Sequence, residues 1–199
     1  MPGIQNPLRV LWNNCGNRNT ESQRVIMARS TFLRVVALLF AGSGVLSAFS
    51  ARAEALPPPV AKPILTVTGK IAVTNGGGKA VFDREMIEAL GETSFSTSTP
   101  WYDGQHKFEG VPLATLLDTV GAAGDRLVVT ALNDYVTEIP VEDARKFGVL
   151  LALKRDGQYM PVSDKGPLFI IYPFDSNSAL KAQVYYKRSA WQVSRIEVK

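Results

Sequence analysis

Pro112-Leu-Ala-Thr-Leu-Leu-Asp-Thr-Val-Gly121, followed by Arg126-Leu-Val-Val-Thr-Ala-Leu132 and Tyr135-Val-Thr-Glu-Ile-Pro140, carries the pattern that decides the fold class. Leu113, Leu116, Leu117 and Val120 recur at i, i+3, i+4 and i+7. With a proline in the first turn and a glycine at the stop, they predict a short helix. The next two segments are rich in β-branched residues, and Asn133-Asp134 between them supplies side chains that favour turns. They predict two strands.

The same signals recur on both sides. Ile64–Val73 alternates and reads as a strand, Asp83 is an N-cap before a short helix over Arg84–Leu90, and Gly91 stops it. Phe95–Thr99 is strand-like, Val141–Phe147 a short helix and Gly148–Lys154 a strand. Arg155-Asp-Gly-Gln158 has the Asp-Gly signature of a tight hairpin. Leu168–Tyr172 and Ala190–Val198 are further strands. Several short strands with three short helices, and no internal repeat, make the class α+β and sheet-dominated.

Charge is distributed unevenly. The chain of 199 residues carries a formal +4, but residues 1–53 hold six Arg against one Glu (+5) and residues 54–199 hold 16 Lys and Arg against 17 Asp and Glu (−1). The basicity belongs to the leader, and no basic face remains for nucleic acid, whose binding rests on neutralising phosphates. Met27-Ala-Arg-Ser-Thr-Phe-Leu-Arg34, the apolar run Val35–Phe49 and Ala51-Arg-Ala53 form the three parts of a secretory signal over 27–53. The run is shorter than the roughly 20 residues of a membrane-spanning helix. An uncleaved anchor is thereby disfavoured, and cleavage after Ala53 leaves no stable membrane span. Residues 1–26 are polar and aperiodic, and are expected to be a non-native or disordered extension; Met27 stands where a signal peptide would begin and is the expected translation start, which a peptide from Pro2–Arg24 in the natural host would refute. Residues 54–63, with Pro57-Pro-Pro59 and Pro63, read as an extended linker, and 64–199 as one domain.

Reactive chemistry is sparse. Cys15, the only cysteine, precedes the leader, so the exported part has neither a disulfide nor a thiolate ligand. His106 is the only histidine, lying in a turn leading into a strand; Asp103 or Asp134 would be its carboxylate if it were a base. No Gly-x-Ser-x-Gly elbow accompanies it, which argues against hydrolysis by a triad. Gly76-Gly-Gly78 lacks the Gly-Lys-Ser/Thr ending of a phosphate loop and reads as a hairpin turn. Thr97-Ser-Thr-Pro-Trp-Tyr-Asp-Gly104 is denser in polar groups than a strand end requires, and is the best candidate wall for a small-molecule pocket.

Five stretches carry a resemblance: Phe108–Leu117, Asn133–Pro140, Val149–Gly157, Met160–Pro173 and Trp191–Ile196. In order and spacing they resemble the molybdopterin-binding domain of the sulfite-oxidase family, most closely its short exported members. The resemblance implies that fold from about Ile64 onward. In that family a cysteine gives its thiolate to molybdenum, while cationic and polar groups hold the pterin phosphate. The region corresponding to the cysteine here offers Thr97, Ser98 and Thr99, and a hydroxyl is a poor substitute for a soft thiolate. Lys165-Gly-Pro167 stands where the family has a His-Gly-Pro-like turn, with Lys165 a point charge for a phosphate. Cofactor-loaded relatives leave the cell folded through a twin-arginine signal. Ser30 replaces the second arginine here, which points to Sec-type export of an unfolded chain and leaves a cytoplasmically assembled cofactor behind.

Two expectations follow. In one, the domain is a periplasmic or secreted, non-catalytic binding or sensing module. It carries no cofactor, and a small anionic ligand or a periplasmic protein partner sits near Thr97, Thr99, Trp101, His106, Asn133, Asp134, Tyr135 and Lys165. In the other it is a molybdopterin-dependent oxidoreductase with an atypical metal site. The absent thiolate favours the first.

Overall fold

The computed structural model describes residues 55–199. The expected extension 1–26, the expected leader 27–53 with its cleavage site, and Cys15 lie outside those residues. Among the described residues no helix is long and apolar enough to cross a membrane.

Two sheets and four short α-helices form the fold, a sheet-dominated α+β arrangement as the sequence implied. The first sheet contains β1 (Leu65–Gly69), β2 (Ala80–Phe82), β5 (Arg126–Ala131), β6 (Val136–Pro140) and β11 (Val193–Val198), in the order β2-β1-β11-β5-β6. The second contains β3 (Thr93–Thr99), β4 (Tyr102–Pro112), β7 (Leu150–Arg155), β9 (Phe169–Ile171) and β10 (Ala190–Trp191), in the order β10-β9-β7-β4-β3, with β8 (Gln158–Tyr159) hairpinned onto β7. Among the described residues only β1 and β11 run parallel, with Thr66 opposite Arg195, so the C-terminal strand is inserted beside the first one. The alternation seen in sequence places Leu65, Val67, Leu127, Val129, Ile196 and Val198 inward. They join Phe108, Leu151 and Phe169 of the second sheet and Leu113, Leu116 and Leu117 of α2 (Leu113–Thr119) in one apolar cluster.

Four local expectations are corrected. The strand from Ile64 ends at Gly69, whose φ of +88° turns the chain away. Tyr102–His106 is not a turn but the beginning of β4, an 11-residue strand whose first half extends past β7 while staying paired to β3. The strand expected at Ala190–Val198 breaks at Gln192, which has φ +55°. A fourth helix, α4 (Gln183–Arg188), joins α1 (Arg84–Glu88), α2 and α3 (Val141–Lys146). Gly110 marks a close approach: a Cβ there would collide with the Leu151 carbonyl, so β4 and β7 require glycine at this irregularity.

The proline-rich segment is extended but docked. Asp83 Oδ1 caps α1 by accepting from the Met86 amide at 2.9 Å, while its Oδ2 accepts from the Val60 and Ala61 amides at 2.8 and 2.9 Å. Those amide bonds hold the Asp83 carboxyl below the usual carboxylate range. The Asn75 amide adds a bond to the Pro57 carbonyl at 3.0 Å. Asp83→Ala is therefore expected to release residues 56–63 and lower the melting temperature. Limited digestion with proteinase K should cut the variant within that segment at enzyme levels that leave the parent intact.

Candidate functional site

A short turn at Pro100-Trp101 joins β3 to β4 and projects the indole of Trp101 across the end of the second sheet. The ring meets Trp191 of β10 at 5.5 Å between centroids, Phe169 of β9 at 5.6 Å, and Phe174 and Tyr186 at 6.1 Å each, all edge-to-face. These are the orientations aromatic quadrupoles favour. Trp101, Trp191 and Tyr186 wall a cleft of about 260 Å³, completed by Asn133 and Tyr135 from the β5–β6 turn and by Lys187 and Ser189 at the end of α4. The turn is fastened to α4: the Lys187 carbonyl accepts from Thr137 Oγ1 at 2.9 Å and from the Tyr135 hydroxyl at 3.3 Å.

Lys165 lies near the Trp191 side of the cleft but is not among its lining residues. It adopts φ +63° after the 3₁₀ turn Val162–Asp164, and its Nζ lies 4.3 Å from the Tyr102 ring centre and 5.9 Å from that of Trp191. The Arg155 guanidinium also lies 3.9 Å from the Tyr102 ring centre, and it pairs with Asp164 at 2.8 Å. The Tyr102 hydroxyl donates to the other Asp164 oxygen at 2.9 Å. Burial, and then that bond, push the phenol far above its ordinary value, so it stays a neutral donor. Asp164 is thus used by Arg155 and Tyr102. Lys165 forms no ion pair of its own among the described residues, although its charge is felt by Asp164, and it brings a cation near the Trp191 wall of the cleft.

Thr97 and Thr99 lie beside the cleft rather than in it. Thr97 is fully buried; its Oγ1 accepts from the Asp175 amide at 3.0 Å and donates to the Ser98 carbonyl at 3.3 Å. Asp175 answers by accepting from the Ser98 amide at 2.6 Å, from Ser98 Oγ at 2.7 Å and from Lys181 at 2.8 Å. Thr99 Oγ1 accepts from the Trp101 amide at 3.3 Å and fixes the turn. The bond from Lys181, then those from Ser98, hold the Asp175 carboxyl well below the usual range. A depressed folded value stabilises the fold above the unfolded carboxylate's own pKa of about 4, and that contribution is lost as the pH falls below it. Asp175→Asn should therefore flatten the acid limb of the stability-against-pH curve, followed by urea denaturation between pH 3 and 7. An unchanged limb would contradict this reading.

His106 is outside the cleft. Its Nδ1 is 2.6 Å from Asp156 Oδ2 at the β7–β8 turn, and its Nε2 is 2.9 Å from the Asp103 carbonyl. The carboxylate beside it is therefore Asp156 and neither the Asp103 side chain nor Asp134. Both ring nitrogens face acceptors, so the ring serves as a tie between β4 and the hairpin. Asp134 is exposed at φ +62° and shapes the turn that presents Asn133 and Tyr135. Sequence reasoning missed Tyr186, Lys187 and Ser189, because α4 is only six residues long and has no buried stripe. Its signals were the Asn177 side chain, which accepts from the Ala179 amide ahead of it, and the basic pair Lys187-Arg188 in the last turn. Trp191, which opens the last of the five resembling stretches, both packs against Trp101 and forms a wall of the cleft.

No group of three or more His, Cys, Asp or Glu side chains among the described residues could hold a metal ion. Comparison with protein-family models matches residues 83–176 to the oxidoreductase molybdopterin binding domain. The match spans Thr97, Trp101, Asn133, Tyr135 and Lys165, whereas Tyr186, Lys187, Ser189 and Trp191 follow it. No curated protein matches the chain.

Proposed function

We propose, from the membership of residues 83–176 in the sulfite-oxidase-like family of oxidoreductase molybdopterin-binding domains, that this chain keeps the family's frame as an exported, non-catalytic binding or sensing module. One observation carries the reading. The resemblance assigns the metal-ligating position to the neighbourhood of Thr97–Thr99, where there is no thiol, and the Thr97 hydroxyl is buried and committed to the Asp175 amide. Molybdenum of this kind takes a soft thiolate, and residues 55–199 contain no cysteine. The residues present therefore do not fit a protein-ligated molybdenum.

The cleft suits binding instead. Trp101, Tyr186 and Trp191 offer apolar ring surface, Asn133 and Ser189 offer polar groups that fix orientation, and Lys165 and Lys187 bias the site toward an anion. A small anionic ligand with an apolar body, or a loop of a periplasmic protein partner, matches that chemistry. The Sec-type leader supports export of an unfolded chain without a preassembled cofactor.

Metal analysis of the protein purified from its native periplasm tests the proposal. The expected result is molybdenum far below stoichiometric, with no pterin fluorescence released on denaturation. Stoichiometric molybdenum with a recovered pterin would establish an oxidoreductase with an atypical site instead.

A further inference from the structure

A second concavity lies on the other side of the β5–β6 turn. It encloses about 450 Å³, and the same turn that sends Asn133 and Tyr135 into the aromatic cleft sends Leu132 into this groove. Leu132 is 53% exposed and Val162, on the facing 3₁₀ turn, is 50% exposed; Pro63 and Pro167 extend the apolar lining between them. Turns are ordinarily polar, and two large apolar side chains held open over one groove, joined by Pro63 and Pro167 and rimmed by cations, form the kind of contiguous apolar patch that marks an interaction surface.

The charges around it have one sign. Lys62 and Arg195 are the charged residues lining the groove, and neither forms an ion pair among the described residues. The nearest acid along β11, Glu197, is already paired with Lys199 at 2.5 Å. Apolar floor and uncompensated cations together call for an acidic, apolar occupant.

The walls are also fixed in advance. Gln192 accepts the left-handed conformation noted above and makes three bonds: its amide donates to the Lys165 carbonyl at 3.0 Å, its carbonyl accepts from the Leu132 amide at 2.8 Å, and its side-chain amide donates to the Val162 carbonyl at 2.7 Å. Leu132 and Val162 are thereby held in place through one residue, which lowers the ordering cost of docking. Gln192 follows Trp191 directly, so the groove and the cleft share a wall.

We infer that this groove docks a partner protein through an acidic segment bearing apolar side chains, with Leu132 and Val162 in apolar contact and Lys62 and Arg195 pairing with its carboxylates. The inference concerns a different face from the aromatic cleft and does not depend on what that cleft binds.

The test places a photo-cross-linking amino acid at Leu132 in the full chain, produced in its natural host, and identifies the cross-linked peptide by mass spectrometry. The expected adduct is with a net-negative segment containing Leu, Ile, Val or Phe. Its yield should fall at least tenfold when Lys62→Glu and Arg195→Glu are combined, and should persist in Trp101→Phe, a variant of the cleft. Both charge reversals are at surface cations without ion pairs, and an unchanged melting temperature confirms that the variant is folded. An adduct with a second copy of this chain, with phospholipid or with a basic or neutral segment would overturn the inference. So would no adduct, or an adduct indifferent to charge reversal.

Discussion

Asp143→Ala is expected to lower the stability of the fold by about 3 kcal/mol, the cost of leaving a buried hydroxyl and a cation without their shared anion. Asp143 is buried on α3, and its Oδ2 accepts from the Tyr172 hydroxyl and from the Arg188 guanidinium, each at 2.8 Å. Tyr172 is completely buried, packed on Phe174 and Tyr185, and burial followed by the Asp143 bond drives its pKa far upward. The three residues come from α3, the end of β9 and α4, so the carboxylate joins elements that the sheets do not join. Asp143→Asn keeps an acceptor for the phenol and should cost less, about 1–2 kcal/mol. Tyr172→Phe removes the group that would be orphaned. Combined with Asp143→Ala, it should give clearly less than the sum of the two single losses. Urea denaturation at pH 7 reads all four values, and a loss below 1 kcal/mol in Asp143→Ala would show that water substitutes for the carboxylate.

Trp101→Ala should produce the second largest loss. The indole is only half-buried, yet it is the hub of an edge-to-face cluster with Phe169, Phe174, Tyr186 and Trp191. Truncation of a large aromatic with partial exposure is expected to cost about 2–3 kcal/mol, below the value for a fully buried ring. Trp101→Phe retains part of that packing and should recover roughly half of the loss. The same substitution opens one wall of the cleft. Near-ultraviolet circular dichroism of Trp191, which loses its closest aromatic neighbour, reports the local change separately from the melting temperature. A melting temperature within one or two degrees of the parent would mean that the remaining four rings close over the gap.

How much of this was legible can be judged residue by residue. Asp83 announced its cap, Leu113, Leu116 and Leu117 announced their buried face, and Asp156-Gly157 announced the β7–β8 turn. Each of those signals is local, because capping, periodicity and turn chemistry act within a few residues. The first half of β4 was misread because Tyr102-Asp-Gly-Gln-His106 has turn-forming composition; the strand exists because β3 pairs with it, from Thr97 opposite His106 to Thr93 opposite Gly110. Helix α4 was missed because it is shorter than the window in which helical periodicity is visible. The partner of His106 was misjudged for a related reason. Asp103 is near in sequence, but Asp156 is brought beside it by the pairing of β4 with β7.

The candidate site divides in the same way. That residues 54–199 hold no cysteine, one histidine and a dense polar and aromatic stretch at Thr97–Gly104 is a property of the chain as written, and it narrows the chemistry before any fold is known. That Thr97 spends its hydroxyl on Asp175, that Trp101 faces Trp191, and that Leu132 and Tyr135 look into different concavities was decided by tertiary structure alone. Composition and periodicity report which face of an element is buried and which groups are available. They do not report the partner, because a buried face or a polar atom is satisfied equally well by any complementary group that sheet order and register deliver.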